Sequence, residues 1–371
     1  MKRPARVPLN RALLVFFLNA LRVAFTNPVQ AFSFIRTILW LGKAARARSV
    51  WKNRGVIVPP ILIMSVTNKC NLKCKGCYAQ SFQREGCGDD ELDDETLGRI
   101  VREARELGVS FFVIAGGEPL MRPGFLRVAG EHPQAVFIVF TNGLLVDGGM
   151  IDTFRRARNI VPLISLEGAR DETDGRRGEG TYEQLLTVME LMKKRGIFFG
   201  NSLTLTRGTF SAVTDERFIR GLVTAGSRFF LFIEYTPTVE GTEGWVPTPE
   251  QRANMAAVIK AYRRRYPALF VAVPWDEEEV GGCLSAGRGF VHVSANGELE
   301  PCPFAPFSDG NLKDLSLKEA LGSEFLREIR RMPELARETG GGCVLWKERE
   351  LVKTLLERTA RAEGRHTAGN S

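Results

Sequence analysis

Three cysteines stand close together in the run Cys70-Asn-Leu-Lys-Cys74-Lys-Gly-Cys77, and Tyr78 follows directly. Thiolates at these spacings can close around one small metal centre. Zinc sites usually pair their ligands as C-x2-C and take four, whereas this run supplies three. A cubane [4Fe–4S] cluster held by three thiolates keeps one iron open to a ligand from outside the chain. An open iron points to chemistry as well as electron storage. A ferredoxin-like or zinc-binding loop is the plainer use of the same triplet.

Cys87, Cys283, Cys302 and Cys343 complete a set of seven cysteines. An odd, clustered count argues against a full disulfide framework and favours metal ligation. An oxygen-sensitive cluster requires a reducing compartment, so the expectation is the cytoplasmic side. Cys87 lies in a Gly- and acid-rich loop, and a fourth ligand there would close the open iron. It reads as a bystander thiol, with a hydrogen donor, a ligand to another cluster or a disulfide partner as alternatives.

A scaffold that could position the triplet is visible in the hydropathy. Apolar runs at 61–67, 111–115, 136–141, 161–166, 198–205 and 229–235 alternate with helical patterns near 94–107, 123–131, 148–158, 181–195, 214–225 and 250–265. Asp93 is the expected cap of the first of these helices, with Ile100, Val101, Ala104 and Leu107 on one face. Near-continuous apolar strands alternating with helices imply a parallel sheet covered by helices. Six units are too few for a closed eight-fold barrel. The expected fold class is therefore α/β, a partial (β/α)6 TIM-type barrel. In such barrels the active face is built by the loops after the strands. The cysteine run follows the first strand, Gly116-Gly117-Glu118-Pro119 the second, Thr141-Asn142-Gly143 the third, and Ser165-Leu166-Glu167-Gly168 ends the fourth. Four successive loops thus deliver glycine-rich or polar groups to one rim. Asn201, Thr204 and Glu234, on the fifth and sixth strands, face either the cavity or buried hydrogen-bond partners.

Together these residues resemble the radical S-adenosylmethionine (radical SAM) enzymes, whose signature is C-x3-C-x2-C followed by an aromatic residue. The resemblance implies that Cys70, Cys74 and Cys77 bind a catalytic [4Fe–4S] cluster. Its open iron chelates SAM, and one electron cleaves SAM to methionine and a 5′-deoxyadenosyl radical that abstracts hydrogen from a substrate. It identifies Gly116, Gly117 and Glu118 with the motif that contacts the methionine amine, and places Tyr78 beside the adenine. Asn142, Ser165 and Glu167 match positions that line the SAM site, although many relatives have Asp where Glu167 stands. Arg176 and Arg177 are the basic candidates for the SAM carboxylate. Further on, Cys283, thirteen residues, Gly297, four residues and Cys302 resemble the opening of a SPASM or twitch extension. The full SPASM run of four further cysteines is absent. Cys283, Cys302 and Cys343 would then hold one auxiliary [4Fe–4S] cluster with three protein ligands. Buried or zinc-bound thiols are the alternative. Ala295-Asn296-Gly297 between 289–293 and 298–300 is a hairpin signal.

The net charge of +8 is unevenly placed. Residues 1–54 hold eleven Lys or Arg and no acid. Within them 9–25 and 29–44 are strongly apolar, broken by Arg11, Asn19, Arg22 and Arg36, which opposes a simple transmembrane span. The picture is an amphipathic helical arm, with Asn27 and Pro28 starting its second helix. Such an arm can lie on a bilayer and favour anionic lipids; packing on the barrel or a dimer contact is the other use. Nucleic acid is not expected, because the basic residues alternate with Leu, Phe and Val. No internal repeat is present.

The expected division is a basic arm over 1–54, a radical SAM barrel over 55–270, a cluster-binding extension over 271–348, and a helix with a disordered tail over 349–371. The expected partners are SAM, a reductant such as flavodoxin or ferredoxin, a peptide or membrane-associated lipid substrate, and a membrane surface. The contrasting classes are a non-catalytic iron–sulfur electron carrier or scaffold and a zinc-dependent interaction protein.

Overall fold

The computed structural model describes residues 8–24, 28–82, 90–337 and 343–362. Expectations for Asn27, the loop around Cys87 and the tail beyond 362 fall outside them.

The six expected strands are all present: β1 (Ile61–Ser65), β2 (Phe111–Ala115), β3 (Val136–Thr141), β4 (Ile160–Leu166), β5 (Gly200–Leu205) and β6 (Phe229–Glu234). Each pairs in parallel with the next. The helices between them form for local reasons. Helix Asp94–Leu107 is capped by the Asp93 side chain, which accepts from the Thr96 amide at 2.7 Å, and it ends at Gly108 in the left-handed region. Its buried stripe is the one the periodicity predicts.

The open barrel stands as expected, and its sheet extends past the six strands on both sides. The parallel sheet gains β7 (Leu269–Val273) beyond β6, and β8 (Phe290–Val293) pairs in parallel with β1 on the other side. Only β9 (Leu299–Glu300) is antiparallel, completing the expected Asn-Gly hairpin with β8. The extension is thus continuous with the barrel sheet. The nine-stranded sheet, ordered β7-β6-β5-β4-β3-β2-β1-β8-β9, curves as an open barrel.

The two faces of the strands do different work. Outward residues such as Leu62, Phe112, Phe137, Ile164, Leu203 and Phe230 are fully buried under the helices, with Phe112 stacked on Phe137 at 4.7 Å. Each such side chain contributes roughly 1.5–3 kcal/mol. Alternate residues on the other face, including Ile63, Val113, Ile138, Phe140, Ile233 and Val271, are only half-buried. Those side chains line an apolar interior that is open toward the C-terminal ends of the strands.

The arm closes the opposite end. α1 (Leu9–Ala24) and α2 (Pro28–Asn53) pack Ala20, Phe34 and Leu41 against Phe111, Val136, Val161, Phe198, Phe229 and Leu269, which stand near the starts of β2 to β7. Phe16 meets Phe229 edge-on at 5.6 Å, and Phe34 meets Phe198 at 5.1 Å. Arg48 of α2 is buried and donates to the Gly108 carbonyl and, at 2.7 Å, to Asn10 Oδ1. Packing on the barrel is therefore one use of this arm, with only part of its apolar surface left outside. Among the described residues no helix is long and apolar enough to cross a membrane.

Candidate active site

The three cysteines of the run leave β1 at the open end of the barrel, and the neighbouring loop reaches them through backbone contact. Gly117 donates to the Thr67 carbonyl and Glu118 to the Lys69 carbonyl, both at 2.8 Å. A Cβ on Gly116 would lie 2.3 Å from the Thr67 oxygen, and one on Gly117 only 2.2 Å from that of Lys69. Two glycines are required for this approach.

Glu118 is 1% exposed. Its carboxylate accepts from the Thr141 hydroxyl at 2.7 Å, the Asn142 amide at 2.7 Å and the Leu120 amide at 3.0 Å. Burial raises its pKa, and these donors pull the other way. A carboxylate offers about four acceptor positions, so roughly one remains for an external donor. Asn142 in turn donates to Asn71 Oδ1 at 2.7 Å, within the cysteine run. Glu118 lies close enough to Cys70 for the two negative charges to interact. Ser165, on β4, is half-buried on the interior side.

Glu167, the other carboxylate that the resemblance assigns to this rim, is already engaged within the chain. It is fully buried, and its two oxygens take Arg176 and Arg177, each at 2.5 Å. Burial alone would raise its pKa, but the two guanidiniums outweigh burial and hold it below the usual carboxylate range. Both guanidiniums also act on Cys74. Arg176 binds the cysteine loop directly: its Nε donates to the Lys75 carbonyl at 3.0 Å, and the Lys75 amide donates back to the Arg176 carbonyl at 3.1 Å. Any further donor at Glu167 would have to share a carboxylate already taken by two arginines.

Burial raises the Cys70 and Cys74 thiols, and the three cysteines are near enough to raise one another's charge cost. Among the described residues no three His, Cys, Asp or Glu side chains are gathered tightly enough for a single ion. Three neighbouring thiols with arginines alongside supply the donor set and the positive surroundings that an anionic iron–sulfur cubane needs.

The second cysteine set shares Tyr78 with the first, since Cys77 and Cys302 both act on its hydroxyl. Cys302 is buried and in thiol hydrogen-bonding contact with Cys343, which together with burial raises it well above the ordinary thiol value. Cys283, pushed up to about 12 mainly by burial, lies close enough for its charge to act on both. The Tyr78 ring stands edge-on to Phe304 at 5.1 Å, between the two sets. Asn201 and Glu234 point away from the interior: Asn201 donates to the Ile164 carbonyl, and Glu234 pairs with Arg252. Thr204 faces inward and is half-exposed.

Two features escape motif reading. Gly76, inside the cysteine run, has φ +66°, and a Cβ there would meet the Tyr235 hydroxyl at 2.6 Å and the Trp245 ring at 2.7 Å. A buried chain also runs from Ser65 Oγ to His292 Nε2 (2.8 Å) and from His292 Nδ1 to Glu300 (2.6 Å). It joins β1 to the hairpin. The only signal in the sequence was that His292, one of three histidines, lies in an apolar strand.

Comparison with known proteins agrees with this geometry. The family model described as the radical SAM superfamily matches residues 64–218, and one described as an iron–sulfur cluster-binding domain, SPASM, matches 283–343. The chain is 25% identical over 311 residues to an AdoMet-dependent heme synthase of Methanosarcina barkeri, covering 76% of this chain and 88% of that protein. It is 27% identical over 326 residues to the mycofactocin maturase MftC of Mycobacterium tuberculosis, covering 79% and 80%. The crystal structure of Streptococcus suis SuiB bound to S-adenosylmethionine superposes with a TM-score of 0.64 at 17% identity, over 78% of this chain and 72% of that one. The chain thus carries a radical SAM domain over residues 64–218, the unit that cleaves S-adenosylmethionine at a [4Fe–4S] cluster, and a SPASM-type iron–sulfur extension over 283–343.

Proposed function

We propose that Cys70, Cys74 and Cys77 hold the catalytic cluster and that the half-buried interior of the barrel receives the substrate C–H bond. The observation that carries this reading is Glu118: a buried carboxylate beside Cys70 with roughly one acceptor position unused, suited to one ammonium group. When bound, the cluster and SAM supply one electron and a 5′-deoxyadenosyl radical. The chain binds, orients and excludes water. Gly116 and Gly117 bring Glu118 to the cysteine loop, and Arg176 and Arg177, set by Glu167, offer positive charge to a carboxylate. Asn142, Ser165 and Tyr78 complete the lining, and the apolar interior shields a radical from solvent. Cys283, Cys302 and Cys343 would hold an auxiliary [4Fe–4S] cluster, with Tyr78 and Phe304 between the two centres.

A peptide is the favoured substrate. In support, MftC is described as a maturase, and SuiB has been solved bound to its precursor peptide SuiA. A tetrapyrrole is the second reading, favoured by the apolar lining and by the likeness to heme synthases. The arm adds no argument for a lipid substrate, since it closes the end opposite the cysteines. A flavodoxin or ferredoxin would supply electrons in a reducing, cytoplasmic setting. The division of labour is a basal plug over 1–54, the barrel over 55–270, the cluster-binding extension over 271–348 and a terminal segment over 349–371. The outward side of the plug supports peripheral attachment to the inner face of a membrane.

The test is anaerobic reconstitution followed by reduction. The expected result is 5′-deoxyadenosine in the absence of substrate and more of it with the true substrate. An electron-spin spectrum indifferent to SAM, with no deoxyadenosine, would remove the reading and favour an electron carrier. Deoxyadenosine stimulated by an iron porphyrin, with no response to any peptide encoded nearby, would select the second substrate.

A further inference from the structure

A cleft of about 460 Å³ opens at the closed end of the barrel, between α2 and the helices Gly124–Glu131 and Gly148–Arg156. Four arginines line it: Arg36, Arg127, Arg156 and Arg158; no acid does. Of the acids on the two flanking helices, Glu131 pairs within this set and Asp152 outside it, which leaves Arg36, Arg156 and Arg158 without a carboxylate partner among the described residues. Glu131 pairs with Arg127 at 3.1 Å, and Asp152 lies 3.7 Å and 3.8 Å from Arg155 and Arg195. Arg36 Nε, Arg158 Nε and the hydroxyl of Ser33, a residue 3% exposed, are buried without a hydrogen-bond partner. Buried donors without acceptors and like charges without counterions are both costly, and an anion with several oxygens relieves both.

The mouth of the cleft is apolar. Val29 and Phe32 line it and are 56% and 66% exposed. The exposed face continues along the arm through Leu14, Val15, Leu18, Ile35 and Leu39. An anionic pocket opening onto an apolar face matches an amphiphile with its head inside and its chains along the helices. The surrounding arm carries no acid at all, which complements an anionic surface and disfavours a cationic partner.

We infer that this cleft binds the phosphate of an anionic phospholipid and seats the closed end of the barrel on a membrane surface, so that the cysteine-bearing mouth faces the aqueous phase. The inference deepens the peripheral-attachment reading above and is independent of the chemistry at the mouth.

The experiment floats the full-length holoenzyme with vesicles of phosphatidylcholine alone or of phosphatidylcholine with phosphatidylglycerol. Three variants accompany it: Arg36→Ala/Arg156→Ala in the cleft, Phe32→Ser/Leu39→Ser on the apolar face, and Arg217→Ala/Arg220→Ala on a distant exposed helix as a charge-matched control. The wild type and the control should float with the anionic vesicles only. The cleft variant should lose roughly 30-fold in partitioning, from about one screened lipid contact per arginine, and the face variant should also sink. All should retain deoxyadenosine formation, which shows that the barrel is intact. A cleft variant that floats like the control overturns the pocket while leaving attachment standing. Equal flotation on phosphatidylcholine alone overturns the anionic headgroup. A wild type that never floats removes both, and if it then binds inorganic phosphate by calorimetry through Arg36, the cleft serves a soluble anion instead.

Discussion

Replacing Glu167 by Gln tests the electrostatic core of the site most directly. The carboxylate is fully buried, and its partners Arg176 and Arg177 are 15% and 12% exposed, so solvent screens the triad little. Removing the anion leaves two guanidiniums in a poor environment, a change that costs about 3–5 kcal/mol in comparable buried pairs. With about 2.1 cal/mol/K of unfolding entropy per residue over 371 residues, that corresponds to a fall in melting temperature of roughly 4–6 °C. The pH dependence has a definite sign. Because the folded-state pKa of Glu167 is held below the usual range, its contribution is present above the unfolded carboxylate pKa and is lost as pH falls through the lower folded value. The gap between wild type and E167Q should therefore be widest near neutrality and should close in acid. The assay is thermal unfolding of the anaerobic apoprotein across pH, with SAM binding to the reconstituted protein measured alongside. A triple variant, E167L/R176M/R177M, should recover the melting temperature, since apolar replacements of a buried ion group are often neutral, but it should not recover SAM affinity. Unchanged melting together with unchanged SAM affinity in E167Q would refute the claim that this carboxylate positions the arginines.

Glu118→Gln should weaken SAM binding by roughly 10- to 100-fold, the worth of one charged hydrogen bond, in equilibrium dialysis; wild-type affinity would discard the ammonium contact. Gly76→Ala, with φ +66° and the Tyr235 hydroxyl and a Trp245 ring atom closer than 3 Å to the new methyl, should lower the iron retained at the first cluster after reconstitution, and full iron content would show that the loop has slack. Cys283→Ala/Cys302→Ala should bring iron from about eight to about four per chain while sparing deoxyadenosine formation without substrate; iron content equal to wild type would eliminate the auxiliary cluster.

The cysteine run, the glycine pair and the first six strands were legible because their signals are local. Backbone reach sets thiolate spacing, and a strand covered by helices on one face and lining an apolar interior with the other reads as a near-continuous apolar run, as residues 111–115 and 136–140 do. Helix ends were also local, as Asp93 shows. Partner choice was not. That β8 joins β1, that Leu269–Val273 extends the sheet, and that Ser65 meets His292 across 227 positions follow from how distant segments compete for the same edge and the same core.

The arm makes the same division sharper. Composition alone determined that residues 1–54 are basic and rich in apolar side chains. Their hydrophobic surface is large enough to satisfy either a bilayer or a barrel floor, and nothing in the local pattern distinguishes the two. Only the folded chain divides it, burying Phe34 and Leu41 against the strand starts and leaving Phe32 and Leu39 outside. Likewise Glu118 and Glu167 are both carboxylates at strand ends in the sequence. Tertiary structure gives one of them amide and hydroxyl donors and the other two guanidiniums, and a buried carboxylate's charge is set by the donors that surround it.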